Sequence, residues 1–379
     1  IERLKDAHNR DIKTVIVTPK GIMISGSEDG SVAFWDMNSR KLLRRLDGIH
    51  KGSIDALVCD HDGKYVFSAS SDGSIGVIDL ERMTLKYREK SLGEKSIKFM
   101  TLTPDGQYLV SLSKTGHIGF LKLKQNLFSH IYEKVDDYYI NCLTVTQDNA
   151  YLIAGKSEGT ILLYDLRTND LVWKKDKAHS TWINKIAVVK DPNLFVSASD
   201  DGTVAVWNIE EKELHTKFEI ANLREINEIV VIPKTNLVVA GAASNTITLL
   251  DAVKKTKISE LSDVHKDSVL HVAVSSDGET IASVGNDSKV ALWKRDKNEE
   301  LNEELNEKLN EYKKFEYPGA TRVPYVAITP DNKRIIATNN TTVQIWRMNQ
   351  SAEDPPEELI IKNSMHPENF HLSKDGRYF

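Results

Sequence analysis

The sequence predicts an all-β chain, a β-propeller of four-stranded antiparallel blades. Three observations lead there. A twelve-residue pattern recurs, as SGSEDGSVAFWD at 25–36, SASSDGSIGVID at 68–79 and SASDDGTVAVWN at 197–208. Each copy reads as a short strand, a tight Asp-Gly turn and a second strand. The closing positions, Trp35, Ile78, Leu121, Tyr164, Trp207, Leu250, Trp293 and Trp346, are spaced by 43 residues six times and then by 53. Each period also holds four strand-like segments, and four strands in a period of the low forties make one blade.

Taken in order, Ile1 to Leu4 reads as an outermost strand. It would complete the last blade and so remove exposed sheet edges. The first strand of each repeat is expected at Ile12 to Val17, Ile54 to Cys59, Ile97 to Leu102, Ile140 to Val145, Ile183 to Val188, Ile226 to Val231, Val269 to Val274 and Val323 to Ile328. Turn residues follow, such as Pro104-Asp-Gly106 and Ser276-Asp-Gly278, which fix φ or allow it to be positive. The third strand carries the Trp position, and the fourth is more charged. The second-to-third-strand turn has glycine at 30, 73, 116, 159 and 202, but Asn245, Ser288 and Thr341 later, so altered turns are expected there. Eight blades closed by Ile1 to Leu4 are favoured over seven blades plus the start of a second propeller.

The period breaks once, at residues 297–311. NEELNEELNEKLNEY at 298–312 places Leu301, Leu305, Leu309 and Tyr312 on one helical face, with Glu304 four residues before Lys308. It reads as a solvated loop or as a projecting amphipathic helix. The propeller is expected to span 1–362. Residues 363–379, with His366 and Phe370, read as the start of a ninth repeat. Together with Ile1 at the start, they suggest a piece of a longer chain.

Two dipeptide positions suggest a family. Ala7-His8, Ile49-His50, Ala178-His179 and Val264-His265 lead their repeats, and Trp35-Asp36, Trp207-Asn208 and the variant Tyr164-Asp165 close theirs. The chain resembles the WD-repeat family over nearly its whole length. That resemblance implies structural tetrads in which His, Ser, Asp and Trp hydrogen-bond in a buried chain. The sets here are His8, Ser25, Asp29 and Trp35; His179, Ser197, Asp201 and Trp207; His265, Ser283, Asp287 and Trp293. A Ser-His-Asp triad is the competing reading. Three equivalent sets argue against it, since a catalyst needs one site in one cleft.

Hydrophobic content is 40% and charged content 28%, ordinary for a globular protein. A net charge of −5 gives no general attraction to nucleic acid or anionic lipid. No apolar run reaches membrane-spanning length. Cys59 and Cys142 read as buried strand thiols in a reducing compartment. No phosphate loop, zinc spacing or His-Glu-x-x-His is present, so no cofactor or metal is expected.

The resemblance places the residues before each first strand on a top face. There Tyr138, Tyr139 and Trp182 stand at matching register in adjacent repeats, with Asp200 beside Trp182 and Arg224 in the next repeat. Aromatic and Arg side chains suit interface hot spots. The expected function is a non-catalytic scaffold or adaptor for protein or peptide partners, a subunit of a larger assembly. A ubiquitin-ligase substrate receptor is one alternative, from Tyr164-Asp-Leu-Arg167, and a hydrolase or oxidoreductase propeller is another. The expected compartment is the cytoplasm, with cytoskeletal, ciliary or nuclear alternatives.

Overall fold

A strand buried on both faces is mostly apolar, with any polar side chain in it hydrogen-bonded, because successive side chains point to opposite sides. The repeats contain such strands. Val196 and Ala198 lie on one face of Leu194–Ser199 and Phe195 on the other, and all six residues are buried. Leu237–Ala242 is likewise buried along its whole length. The fourth strands differ: Lys41–Leu46 is exposed over its first four residues and Glu213–Glu219 over most of its length.

The computed structural model describes residues 8–10, 12–18, 22–36, 41–60, 62–90, 96–113, 116–123, 127–132, 140–168, 170–220, 224–262, 265–296, 308–317, 322–329, 332–338, 342–349, 351, 356–360 and 369–370. Among them every helix or strand is a strand, so no helix is long and apolar enough to cross a membrane. Among the described residues the strands form eight sheets, each built on four consecutive strands in sequence order, with one strand from the tail added to the first. The fold is thus an all-β propeller of eight blades.

By contacts the chain divides into two compact units. One comprises 1–139, 340–343 and 358–379, and the other 140–339 and 344–357. In the first unit, the first strands of blades one, two and three lie side by side; in the second, so do those of blades four to eight. The apolar cores sit between neighbouring blades. Ile24 and Phe34 of blade one meet Ile54 and Leu57 of blade two. Val196, Val204 and Val206 of blade five meet Ile226, Ile229 and Val238 of blade six.

The first strands run as the sequence predicts, except that the last is Tyr325–Ile328. Their pairing with the second strands shows a recurring bulge at the second residue. Ile183 pairs with Ser199 and Lys185 with Ala198, leaving Asn184 over; Ile226 and Glu228 leave Asn227 over in the same way. A bulge re-aims the extra side chain. Here each amide turns to the next blade, Asn184 donating to Ile226 O at 3.1 Å and Asn227 to Val269 O at 2.6 Å.

Two expectations need revision. The later turns are not altered: Asn245 and Ser288 take φ of 66° and 62°, close to the 76° to 83° of the glycines they replace. The surrounding strand pairs fix the turn, and the side chain tolerates it. Thr341 lies outside the described residues. The helix across 297–311 does not extend over 308–312, because Lys308–Glu316 is a strand paired with Lys289–Asp296, from Lys289↔Glu316 to Asp296↔Lys308. Pairing with an eight-residue neighbour outweighs local helical spacing. Residues 297–307 lie outside the described residues, as does Ile1 to Leu4. In the tail, Asn369 and Phe370 pair in parallel with Thr14 and Val15, adding a fifth strand to blade one. His366 is not described.

Candidate functional site

The second-to-third-strand turns and the loops before the first strands are joined by one repeated bond. The amide of Ser71 donates to Ser53 O, Asp200 to Trp182 O, Ala243 to Glu225 O and Asn286 to Ser268 O, at 2.8–3.1 Å. The tetrads lie beneath these joints. In blade five the Trp207 indole N–H donates to Ser197 Oγ (2.8 Å), the Ser197 hydroxyl donates to His179 Nε2 (2.7 Å), and His179 Nδ1–H donates to Asp201 (3.1 Å). Blade seven repeats the chain with Trp293 to Ser283 at 3.1 Å, Ser283 to His265 at 2.8 Å and His265 to Asp287 at 2.8 Å. Blade one inserts a hydroxyl. Trp35 donates to Ser25 and Ser25 to His8, but His8 Nδ1–H donates to Ser31 Oγ (2.7 Å), which passes its own proton toward Asp29. His8 and Asp29 are 3.8 Å apart.

Burial pushes His8 down to about 4 against the pull of Asp29. Burial alone would raise Asp29. Hydrogen bonds from the Ser31 hydroxyl and the Asn9 and Ser31 amides outweigh it and hold the carboxyl near 2. Asp201 and Asp287 are also held low, against burial, chiefly by their histidines. Each serine is closed off between an indole and an imidazole. Ser197 and Ser283 are fully buried, which suits a structural link and leaves no approach for a substrate.

A fourth chain runs through blade two. His50 Nδ1–H donates to Ser74 Oγ and Ser68 donates to His50 Nε2, both at 2.8 Å, while Ser74 donates to Asp72. Ile78 stands where the others have Trp, so the motif lacks its most visible letter. Blade four departs further. Ala154 replaces the serine, and Lys156 takes the register of Ser27, Ser70, Ser113 and Ser199. Lys156 is 1% exposed and pairs with Glu158 at 2.7 Å. A second polar row crosses the first strands. Lys185 pairs with Glu228 at 3.0 Å, and His271 Nε2 lies 3.6 Å from Glu228. Burial pushes His271 down. These side chains follow each other by 43 residues, a signal hidden by their different chemistry.

On the loop side, Trp182 is 54% exposed. The Asn184 amide donates to Asp200 Oδ1 as well as to Ile226 O, so it links Trp182's partner to blade six. Burial pushes Asp200 up, with Glu225 and Asp201 adding to the effect and Asn184 opposing it. Arg224 and Glu225 are exposed. Tyr138 and Tyr139 lie outside the described residues. Cys59 and Cys142 are not joined in a disulfide and are half-buried rather than buried. Among the described residues, no group of three His, Cys, Asp or Glu could hold a metal ion.

Eight four-stranded blades, three of them with a buried Trp–Ser–His chain, have the build of a WD-repeat β-propeller, and the WD-repeat family model matches part of the chain. The family model described as WD domain, G-beta repeat matches residues 2–36, 40–79 and 256–294. The model described as Nucleolar protein 10-like, N-terminal domain matches residues 113–250. Two crystal structures of Sqt1 from Chaetomium thermophilum share the fold. One gives a TM-score of 0.72 at 15% identity, covering 88% of this chain and 94% of that one. The other gives 0.71 at 15% identity, covering 88% and 93%. No curated protein sequence gives a match.

Proposed function

We propose that the chain is a non-catalytic scaffold or adaptor that holds protein or peptide partners on the loop side around Trp182 and along its blade edges. The exposed indole of Trp182 carries this reading, because the Asp200 amide fixes its backbone while its ring stays in solvent. Large aromatics on a rigid frame are favoured anchors of interfaces. The edges add exposed leucines at one register: Leu42 and Leu85 in the first unit, Leu171 and Leu214 in the second, each 39–47% exposed. The substrate-receptor alternative rests on Arg167, whose side chain is 86% exposed, yet Tyr164 of the same motif is buried. The Nucleolar protein 10-like match makes the nucleolus the first compartment to examine beside the cytoplasm.

The test compares affinity capture by the intact protein, Trp182→Ala and the control Lys190→Ala. Lys190 follows the first strand that Trp182 precedes, about 25 Å along an extended chain. Loss of the same partners with Trp182→Ala alone supports the reading. Equal capture by all three proteins, or turnover in a substrate screen, overturns it.

A further inference from the structure

Trp182 and Glu225 occupy the same register in blades five and six, 43 residues apart, each just before a first strand. Those two first strands lie side by side. Asp200 is tied to both positions. Its amide donates to Trp182 O at 3.0 Å, and its Oδ1 accepts from Asn184, whose other amide proton goes to Ile226 O, the residue after Glu225. The bulge that frees Asn184 therefore brings an exposed indole and two carboxylates to one junction. The next junction has the same bond from Asn227 to Val269, but Ala243 stands in the place of Asp200. Blade one has a carboxylate at this register in Glu28, but it is paired with Lys13 at 3.1 Å.

Among the described residues no Lys, Arg or His pairs with Asp200 or Glu225, and Asp200 Oδ2 has no hydrogen-bond partner, while neighbouring Asp201 is satisfied by His179, Thr203 and Lys217. Arg224, next in sequence to Glu225, is exposed and pairs with neither. Uncompensated negative charge beside an aromatic face is complementary to one chemistry. A cation gains ion pairing from the carboxylates and attraction to the ring's electron-rich face.

We infer that Trp182, Asp200 and Glu225 receive a lysine or arginine side chain of a basic peptide segment. The inference rests on the reading of Trp182 as a docking anchor and adds the chemistry of what docks. The aliphatic stem would lie on the indole and the charged head between the carboxylates. Asn184 holds Asp200 in place, leaving Oδ2 to accept.

The experiment uses the full chain on beads and a random twelve-residue peptide library, with bound peptides sequenced. Proteins compared are the parent, Trp182→Ala, Asp200→Asn, Glu225→Gln and Lys190→Ala, each checked for folding by circular dichroism. The expected result is enrichment of Lys and Arg on the parent and on Lys190→Ala. Capture of those peptides should fall about tenfold in Asp200→Asn and Trp182→Ala, less in Glu225→Gln, and should weaken with salt. Peptides lost with Trp182→Ala but showing no preference for cations would overturn this inference and leave the docking anchor standing. Peptides captured equally by Trp182→Ala, or no enrichment on the parent, would overturn both. Enrichment of acidic peptides overturns the inference as well.

Discussion

The Trp207 indole N–H donates to Ser197 Oγ at 2.8 Å, from one strand of blade five to its neighbour. The ring is 1% exposed, with Trp173 edge-on at 6.0 Å and Phe195 stacked at 6.4 Å. Trp207→Ala removes that packing and the serine's donor. It should destabilise by about 3–5 kcal/mol. Trp182→Ala, on an exposed ring, should change stability by no more than about 0.5 kcal/mol. Urea midpoints of the two variants test the contrast. Similar shifts would show that Trp182 belongs to the core.

Acid should weaken the fold through its buried histidines. His50 is held at about 4 by burial, against an ordinary value of 6.5, although Asp72 pulls it up. Its folded value lies below its unfolded one. Its contribution is therefore complete above pH 6.5 and lost as pH falls from there toward 4. Linkage sets the loss at up to about 3 kcal/mol. His8 acts in the same direction. Asp29 and Asp72, held near 2, add a further loss below pH 3.8. Unfolding free energy measured from pH 7.5 to 4.5 should fall, and His50→Gln should flatten the slope. An unchanged slope would mean that the ring takes up a proton in the folded state.

Gly159 joins two blades as well as closing a turn. Its φ is +82°, and a Cβ there would lie 2.1 Å from His179 O of the next blade. The amide of His179 donates to Gly159 O at 3.0 Å. Gly159→Ala meets both an unfavourable backbone region and a backbone atom that cannot yield, so it should destabilise by more than about 1 kcal/mol. Gly48 has φ +67° and nothing near its would-be Cβ, so Gly48→Ala isolates the backbone effect. Thermal melts should rank Gly159→Ala well below Gly48→Ala, and equal melts would remove the blade contact from the argument.

Lys156 is a buried charge answered by Glu158 at 2.7 Å. Lys156→Met leaves that carboxylate without its cation and should cost about 3 kcal/mol. Lys156→Met with Glu158→Gln should recover most of the loss, because removing both charges avoids an uncompensated one. A double-mutant cycle by chemical denaturation decides it. Additive losses would show that the two residues act separately.

The sequence alone determined the blades, because a 43-residue period and alternating apolar runs leave little else for these strands to do. It also revealed the tetrads with a closing Trp, since His, Ser and Asp recur with it at fixed spacing. The His50 chain was harder to see only because Ile78 removes the indole. Other features depend on groups brought together from different repeats. Asn184 looks like any polar strand residue until a bulge turns its amide toward Ile226 O and fastens Asp200. Lys156 reads as a solvent-facing lysine, and only its neighbours bury it against Glu158. Local spacing favoured a helix through Leu309 and Tyr312, yet an adjacent strand with open hydrogen-bonding groups drew them into a sheet. Periodicity records which faces of a strand are buried. Which polar groups meet is decided by bulges and by the neighbouring blade, and those exist only in the folded chain.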